Sequence, residues 1–324
     1  MSDFKIRFWG VRGSYPTPGK NTIRFGGNTA CVEVQVGGQI IIFDAGTGII
    51  ALGQELARTH QLDVTLLLSH LHHDHTQGFP FFLPAYIPGA RLRIFGPGTA
   101  TETLENILDS NQSAQTFPVS LRDMNASKDI RSLKETDVLT LDSTGMRFNS
   151  ASSSDPSTGS GQRSKTVTVK IYRSYAHPGG VYVYRIEYRG HALVYATDTE
   201  GYVGGDKKLA NFARGADVLI HDAQYSEEHY RGQLTGFPST QGYGHSTVQM
   251  ACELAAAAQV DELVLFHHDP NYDDETVARL EVKARTLFPN VRAAYEGLIM
   301  KVGSERVRVN ESSALIMSAA VKAR

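Results

Sequence analysis

The residues with most chemical content lie at 70 to 75, His-Leu-His-His-Asp-His. Five of these six positions are His or Asp, and only Ser69 separates them from the apolar run Val64 to Leu68. That run has strand length and reads as a buried strand. Four imidazoles gain nothing from burial together, because each would need its own hydrogen-bond partner. Metal binding accounts for them, since neutral imidazole and carboxylate are ligands for first-row ions, zinc being the commonest fit. His70 and His72 are two apart and project to one side of an extended segment, so they can share an ion. Asp74 and His75 are adjacent, point differently and can hold a second ion. The alternative is a solvated histidine-rich loop, but the run sits at a strand end.

Two ions need more ligands than this loop supplies. The sequence offers His177 in the turn Tyr175-Ala176-His177-Pro178-Gly179-Gly180. It places Asp198 just past the run ending at Ala196, and His267 just past the run ending at Phe266, with His268 beside it. Each is unremarkable alone.

In the order HxHxDH, His, Asp, His, the set resembles the metallo-β-lactamase superfamily over nearly all of residues 4 to 302. The resemblance implies a first ion on His70, His72, His177 and Asp198. It implies a second on Asp74, His75, Asp198 and His267, with Asp198 bridging. In the final segment, Leu-Phe-His-His-Asp-Pro, it favours His267 over His268. It also implies that His73 points away from the ions and that Asp44 orients the metal loop by hydrogen bonding.

Two further segments narrow the branch. His221-Asp222-Ala223-Gln224 and Gly244-His245-Ser246-Thr247 resemble the HEAT and HST segments of ribonuclease Z and its phosphodiesterase relatives. This chain has Asp222 where ribonuclease Z has Glu. A helix N-cap explains Ser246 and Thr247 but not His245. The opening Trp9-Gly10-Val11-Arg12-Gly13-Ser14, with Gly26-Gly27-Asn28-Thr29, is similar to a bacterial and phage group of cyclic-nucleotide phosphodiesterases. The catalytic set so implied is Asp74, His245 and Asp222, acting with two divalent cations, zinc or manganese. The expected reaction is hydrolysis of a small phosphodiester, a 3′,5′-cyclic nucleotide above others, by a metal-bridging hydroxide with His245 as acid. The rivals are a transfer-RNA 3′-end endonuclease, a phosphonate-pathway cyclic phosphodiesterase, a glyoxalase II type thioesterase and a non-catalytic nucleotide-sequestering metalloprotein. The resemblance further implies a homodimer.

Composition agrees with a small substrate. The 324 residues carry a formal charge of −2, and no long basic arm is evident, which disfavours a large RNA. The two cysteines, Cys31 and Cys252, lie in apolar segments and form no disulfide framework. The opening MSDFKIRFWG is not a secretion leader, and no apolar stretch reaches a membrane-spanning length. A cytoplasmic protein is expected.

The elements that must position these side chains alternate between strand and helix. Strands are expected at 4–9, 30–36 and 39–43, the last two joined at Gly37-Gly38, and then at 64–68, 91–95, 166–172, 181–188, 192–196, 218–220 and 263–266. Residues 293–302 close the sheet. Helices are expected at 49–59, 79–86, 99–111, 207–215, 247–258 and 274–288. Residues 117–141 mix strand and turn signals. The fold class is α/β, an αββα sandwich of two mixed β-sheets flanked by helices. One domain spans 1–303, with a Ser/Gly-rich surface insertion at 149–165 and a tail at 304–324.

Overall fold

The computed structural model describes residues 3–99, 101–113, 115, 117–142, 145–150, 165–201 and 205–303. The 304–324 tail and most of the 149–165 segment lie outside them. The strands are β1 (Phe4–Gly10), β2 (Cys31–Val36), β3 (Gln39–Phe43), β4 (Asp63–Leu67), β5 (Arg91–Pro97), β6 (Ser127–Leu133), β7 (Asp137–Asp142), β8 (Gly145–Ser150), β9 (Val167–Ser174), β10 (Val181–Tyr188), β11 (His191–Ala196), β12 (Val218–Asp222), β13 (Glu262–Phe266), β14 (Val291–Ala293) and β15 (Ile299–Lys301). The helices are α1 (Gly48–Arg58), α2 (His73–Thr76), α3 (Leu104–Asn111), α4 (Lys207–Ala213), α5 (Glu227–Tyr230), α6 (Val248–Ala258) and α7 (Asp274–Leu287).

The strands form two mixed sheets. One runs β15-β1-β2-β3-β4-β5-β6 and the other β14-β13-β12-β11-β10-β9-β7-β8. Their inner faces meet in a core of Ile6, Phe8, Ile41, Phe43, Tyr184, Tyr195, Ile220 and Phe266 among others. A second apolar layer lies under α4, α6 and α7. A third lies under α1 and the 79–86 segment. The arrangement is the αββα sandwich expected from the alternation of elements.

Two expected helices take a different form. Residues 79–86 make two single 3₁₀ turns, Phe79–Phe81 and Leu83–Tyr86. Pro80 and Pro84 each remove a backbone donor, so a continuous helix cannot form. The helix expected from 99 begins only at Leu104, because the Thr103 side chain accepts from the Asn106 amide and caps it there. In 117–141, β6 was hidden because its SKDIRSL sequence leaves little of the strand buried. Thr247 caps α6 by accepting from the Met250 amide, and Gln259 ends it at φ 55°.

The topology decides where chemistry can occur. Strands β3 to β6 are parallel neighbours, as are β11 to β14. In such sheets ligands collect beyond the carboxyl ends of the strands. Asp44 follows β3, His70 follows β4, Asp198 follows β11, Asp222 ends β12 and His267 follows β13. Two tyrosines tie the second sheet to this edge of the first. Tyr184 donates to the Leu68 carbonyl at 2.6 Å, and Tyr195 donates to Asp44 Oδ2 at 2.7 Å. The Tyr195 ring stacks on Phe43 at 4.6 Å.

Candidate metal centre

The loop after β4 solves a directional problem. His72 lies on extended backbone, then the chain turns into α2, so Asp74 and His75 leave on another heading. The side chains of His70, Asp74, His75, His177, Asp198 and His267 are buried together, with His72 at the solvent edge. Ligand atoms of His70, His72 and His177 lie within 4.8 Å of one another, as do those of Asp74, His75, Asp198 and His267. All seven residues singled out in the sequence therefore converge. His73 is exposed.

The hydrogen bonds behind the histidines fix what they present. His75 Nδ1 lies 2.8 Å from Asp44 Oδ2, and a carboxylate can only accept, so this nitrogen carries the proton. His267 Nδ1 donates to Gln224 Oε1 at 3.0 Å, and His177 Nδ1 donates to the Gly244 carbonyl at 3.2 Å. Ser69 Oγ donates to Asp44 Oδ2 at 2.8 Å, leaving its lone pairs to accept from His70 Nδ1 at 3.1 Å. Four bare Nε2 atoms then face inward, toward acceptor-only carboxylates. His75 Nε2 and His267 Nε2 are 3.2 Å apart, each 3.3 Å from Asp198 Oδ1 and 3.3 and 3.2 Å from Asp74 Oδ2. Across Asp198, Oδ2 lies 3.5 Å from His70 Nε2 and 3.9 Å from His177 Nε2.

His177 Nε2 has His72 Nδ1 at 3.0 Å, but the buried His70 Nε2 has no hydrogen-bond partner. Cations resolve this. Ligands about 2.0–2.1 Å from one tetrahedral ion stand about 3.3 Å apart, the spacing measured from His75 and His267 to their neighbours. The donor set therefore fits two divalent ions, with one oxygen of Asp198 turned to each. Burial lowers the pKa of His70 well below its usual value, which keeps the imidazole in its ligating form.

His268 has a different role. Its Nε2 donates to the Ala294 carbonyl at 2.9 Å, and burial, aided by Arg12, pushes its pKa down to about 3. It is a neutral packing residue.

A second pair borders the cluster. His245 Nδ1 lies 2.8 Å from Asp222 Oδ2 and 3.9 Å from Asp198 Oδ2. Burial works against charge on His245, but Asp222 prevails and its pKa is pushed up to about 9. Asp222 Oδ1 also accepts from the Ser246 amide at 2.8 Å. The shorter Asp side chain thus reaches both His245 and the backbone beside it.

Several supporting residues had no role assigned from the sequence. Glu200 accepts from Tyr230 Oη at 2.6 Å and from the Gly242 and Gly244 amides at 2.7 and 2.9 Å, which latches the loop carrying His245. The Ser14 amide donates to Asp74 Oδ2 at 2.7 Å. A Cβ on Gly13 would stand 2.4 Å from the His267 ring, so only glycine fits there. Arg12 is buried and donates to the carbonyls of Gly26, Asp269 and Tyr272. The backbone has left-handed φ at Ser14, Asp44, Asp198 and His267, from 51° to 63°. Non-glycine residues hold that region at a cost, and such strain gathers at functional sites.

Two sheets with this ligand-rich edge define a metallo-β-lactamase-fold hydrolase. Residues 39–268 match the family described as "Beta-lactamase superfamily domain", and the chain belongs to it. Among curated proteins, it is 26% identical over 295 residues to "Ribonuclease Z" of Pyrococcus horikoshii, covering 83% of this chain and 87% of that one. Among solved structures, it resembles the metallo-beta-lactamase fold protein YhfI from Bacillus subtilis, with a TM-score of 0.64, 19% identity and coverage of 94% and 100%. Human tRNase Z, short form, superposes with a TM-score of 0.60, 18% identity and coverage of 91% and 98%. Among the described residues no helix is long and apolar enough to cross a membrane.

Proposed function

We propose that this hydrolase, a metal-dependent phosphodiesterase, cleaves a small phosphodiester, and that its substrate is a 3′,5′-cyclic nucleotide opened to the linear monophosphate. The observation that carries the reading is the His245–Asp222 pair beside the bridging carboxylate of Asp198. A thioester hydrolase would have no use for it, because a thiolate leaves without a proton. An alkoxide leaving from phosphorus needs one.

His70, His72, His177 and Asp198 would hold one cation, and Asp74, His75, Asp198 and His267 the other, with zinc the ion the donors favour. When bound, the two ions would acidify water to a nucleophile near neutral pH and neutralise the non-bridging phosphoryl oxygens. Asp74, pinned by the Ser14 amide, orients the attacking water. Asp222 accepts from His245 Nδ1, which leaves Nε2 to pass its proton to the departing sugar oxygen.

The second reading is 3′-end processing of transfer RNA, favoured by the name of the Pyrococcus relative. The net charge of −2 supports the smaller substrate, since gripping a large RNA rests on clustered cations. A homodimer is proposed on the resemblance to ribonuclease Z, and sedimentation velocity checks it. The deciding experiment presents cyclic mononucleotides, cyclic dinucleotides, a model diester and precursor transfer RNA to the zinc- and manganese-loaded protein. Release of linear nucleoside monophosphate supports the proposal. Cleavage of transfer RNA alone, or stoichiometric nucleotide binding without turnover, overturns it.

A further inference from the structure

The hairpin that delivers His177 also carries residues the cluster does not use. Tyr175 is 71% exposed, an uncommon position for so large an aromatic ring. It stands two residues before His177, so their Cα atoms are at most about 7 Å apart. The Arg173 guanidinium lies 5.1 Å from the Tyr175 ring and 5.8 Å from that of Tyr182, and it donates to the Gly179 carbonyl at 3.2 Å. Among the described residues no carboxylate pairs with Arg173. Tyr182 is fixed at both ends: its amide donates to the Ser69 carbonyl at 2.8 Å, and its hydroxyl donates to the Leu133 carbonyl at 2.7 Å. Ser69 immediately precedes His70, so this wall adjoins the cluster.

With the ends of β5 and β6, these side chains line an open cavity of about 540 Å³ that also takes in Lys134 and Glu135. Strands β4, β5 and β6 are adjacent, about 4.8 Å apart, so the cavity begins one strand from the end that bears His70. Its volume falls within the range of small-molecule sites. Its contents are selective: an exposed ring face, a guanidinium against it, a second cation and one carboxylate acceptor. Aromatic and guanidinium planes are the surfaces on which nucleobases stack, with little dependence on which base it is.

We infer that this cavity is a nucleobase subsite, in which the base of a nucleotide stacks on Tyr175 beside Arg173 while its phosphate lies at the cluster. The inference rests on the phosphodiesterase reading, because it needs a phosphate held next door. Lys134, just past the end of β6, adds positive charge to the cavity. Glu135 offers an acceptor to an exocyclic amino group.

Calorimetric titration of the zinc-loaded protein with adenosine 5′-monophosphate and with ribose 5-phosphate isolates the base. The wild type should bind the nucleotide about tenfold tighter or more. Tyr175→Ala should erase that margin, and Tyr175→Phe should keep it. Arg173→Gln should reduce it. Because Tyr175 is exposed, its loss leaves the core intact. Equal affinities in the wild type, or a margin that survives in Tyr175→Ala, would overturn the subsite. The phosphodiesterase reading is judged separately, by turnover of bis(p-nitrophenyl) phosphate, so the two can fail independently.

Discussion

His245 Nδ1 lies 2.8 Å from Asp222 Oδ2, and both side chains are buried. In the proposed reaction the pair would serve acid catalysis and not metal holding. His245→Ala should keep the metal content of the wild type and slow diester hydrolysis by about a hundredfold or more. The loss should be largest for an alkoxide leaving group and small for p-nitrophenolate, which departs unprotonated. Metal analysis alongside steady-state rates on both substrates checks this. A parallel loss of metal and activity would place His245 among the ligands.

Glu200 touches none of the metal-facing atoms, yet it holds the loop before His245 through the Gly242 and Gly244 amides. Glu200→Gln keeps the size but puts a donor where the amides need an acceptor. It should lower kcat about tenfold for alkoxide leaving groups, with metal content unchanged and p-nitrophenyl turnover less affected. Equal slowing on both substrates would make Glu200 a general structural residue.

Asp44 binds no ion in this account, but it accepts from His75, from the Ser69 amide and hydroxyl, and from Tyr195. Asn tolerates its left-handed backbone, at φ 60°, so Asp44→Asn should fold. It should weaken metal affinity about 10–100-fold, read by competition with a zinc chelator. Unchanged affinity would show that the ring of His75 is held by packing alone.

Gly13 lies so close to His267 that a methyl group would displace the ring. Gly13→Ala should lower the bound metal from two ions toward one while the fold persists, as read by elemental analysis with circular dichroism. Two tightly held ions in this variant would show that His267 is not needed for the second.

Stability should also depend on the ions, since removing them leaves bare acceptors facing one another in a buried site. Chelation should lower Tm and zinc should restore it. Ligand present at a hundred times Kd stabilises by about 2.7 kcal/mol. A Tm indifferent to chelator would mean that no ion is held by the folded state.

Much of the site was legible because strand ends expose their chemistry. His70 to His75, Asp198 and His267 each interrupt an apolar run, and nothing in core packing explains that. The sandwich followed from the alternation of elements, and Thr247 could be read as a cap because capping is local. The hidden parts act at a distance. Glu200 becomes a latch only when β11 and the loop before α6 meet. Gln224 matters only because β12 and β13 are neighbours, which brings its amide to His267. Pro80 and Pro84 break the helix expected over 79–86, because each lacks a backbone donor. The resemblance favoured His267 over His268, and the turn after β13 supplies the physical reason, sending one ring inward and the other to Ala294.

The claim beneath the rest is that one carboxylate, Asp198, serves two ions at once. Elemental analysis of purified wild type and Asp198→Ala, after dialysis against zinc and then metal-free buffer, addresses it directly. The account expects about two ions per chain in the wild type, and loss of both, with diester turnover, in the variant. A variant that still holds two ions, or a wild type that retains fewer than two, would contradict it.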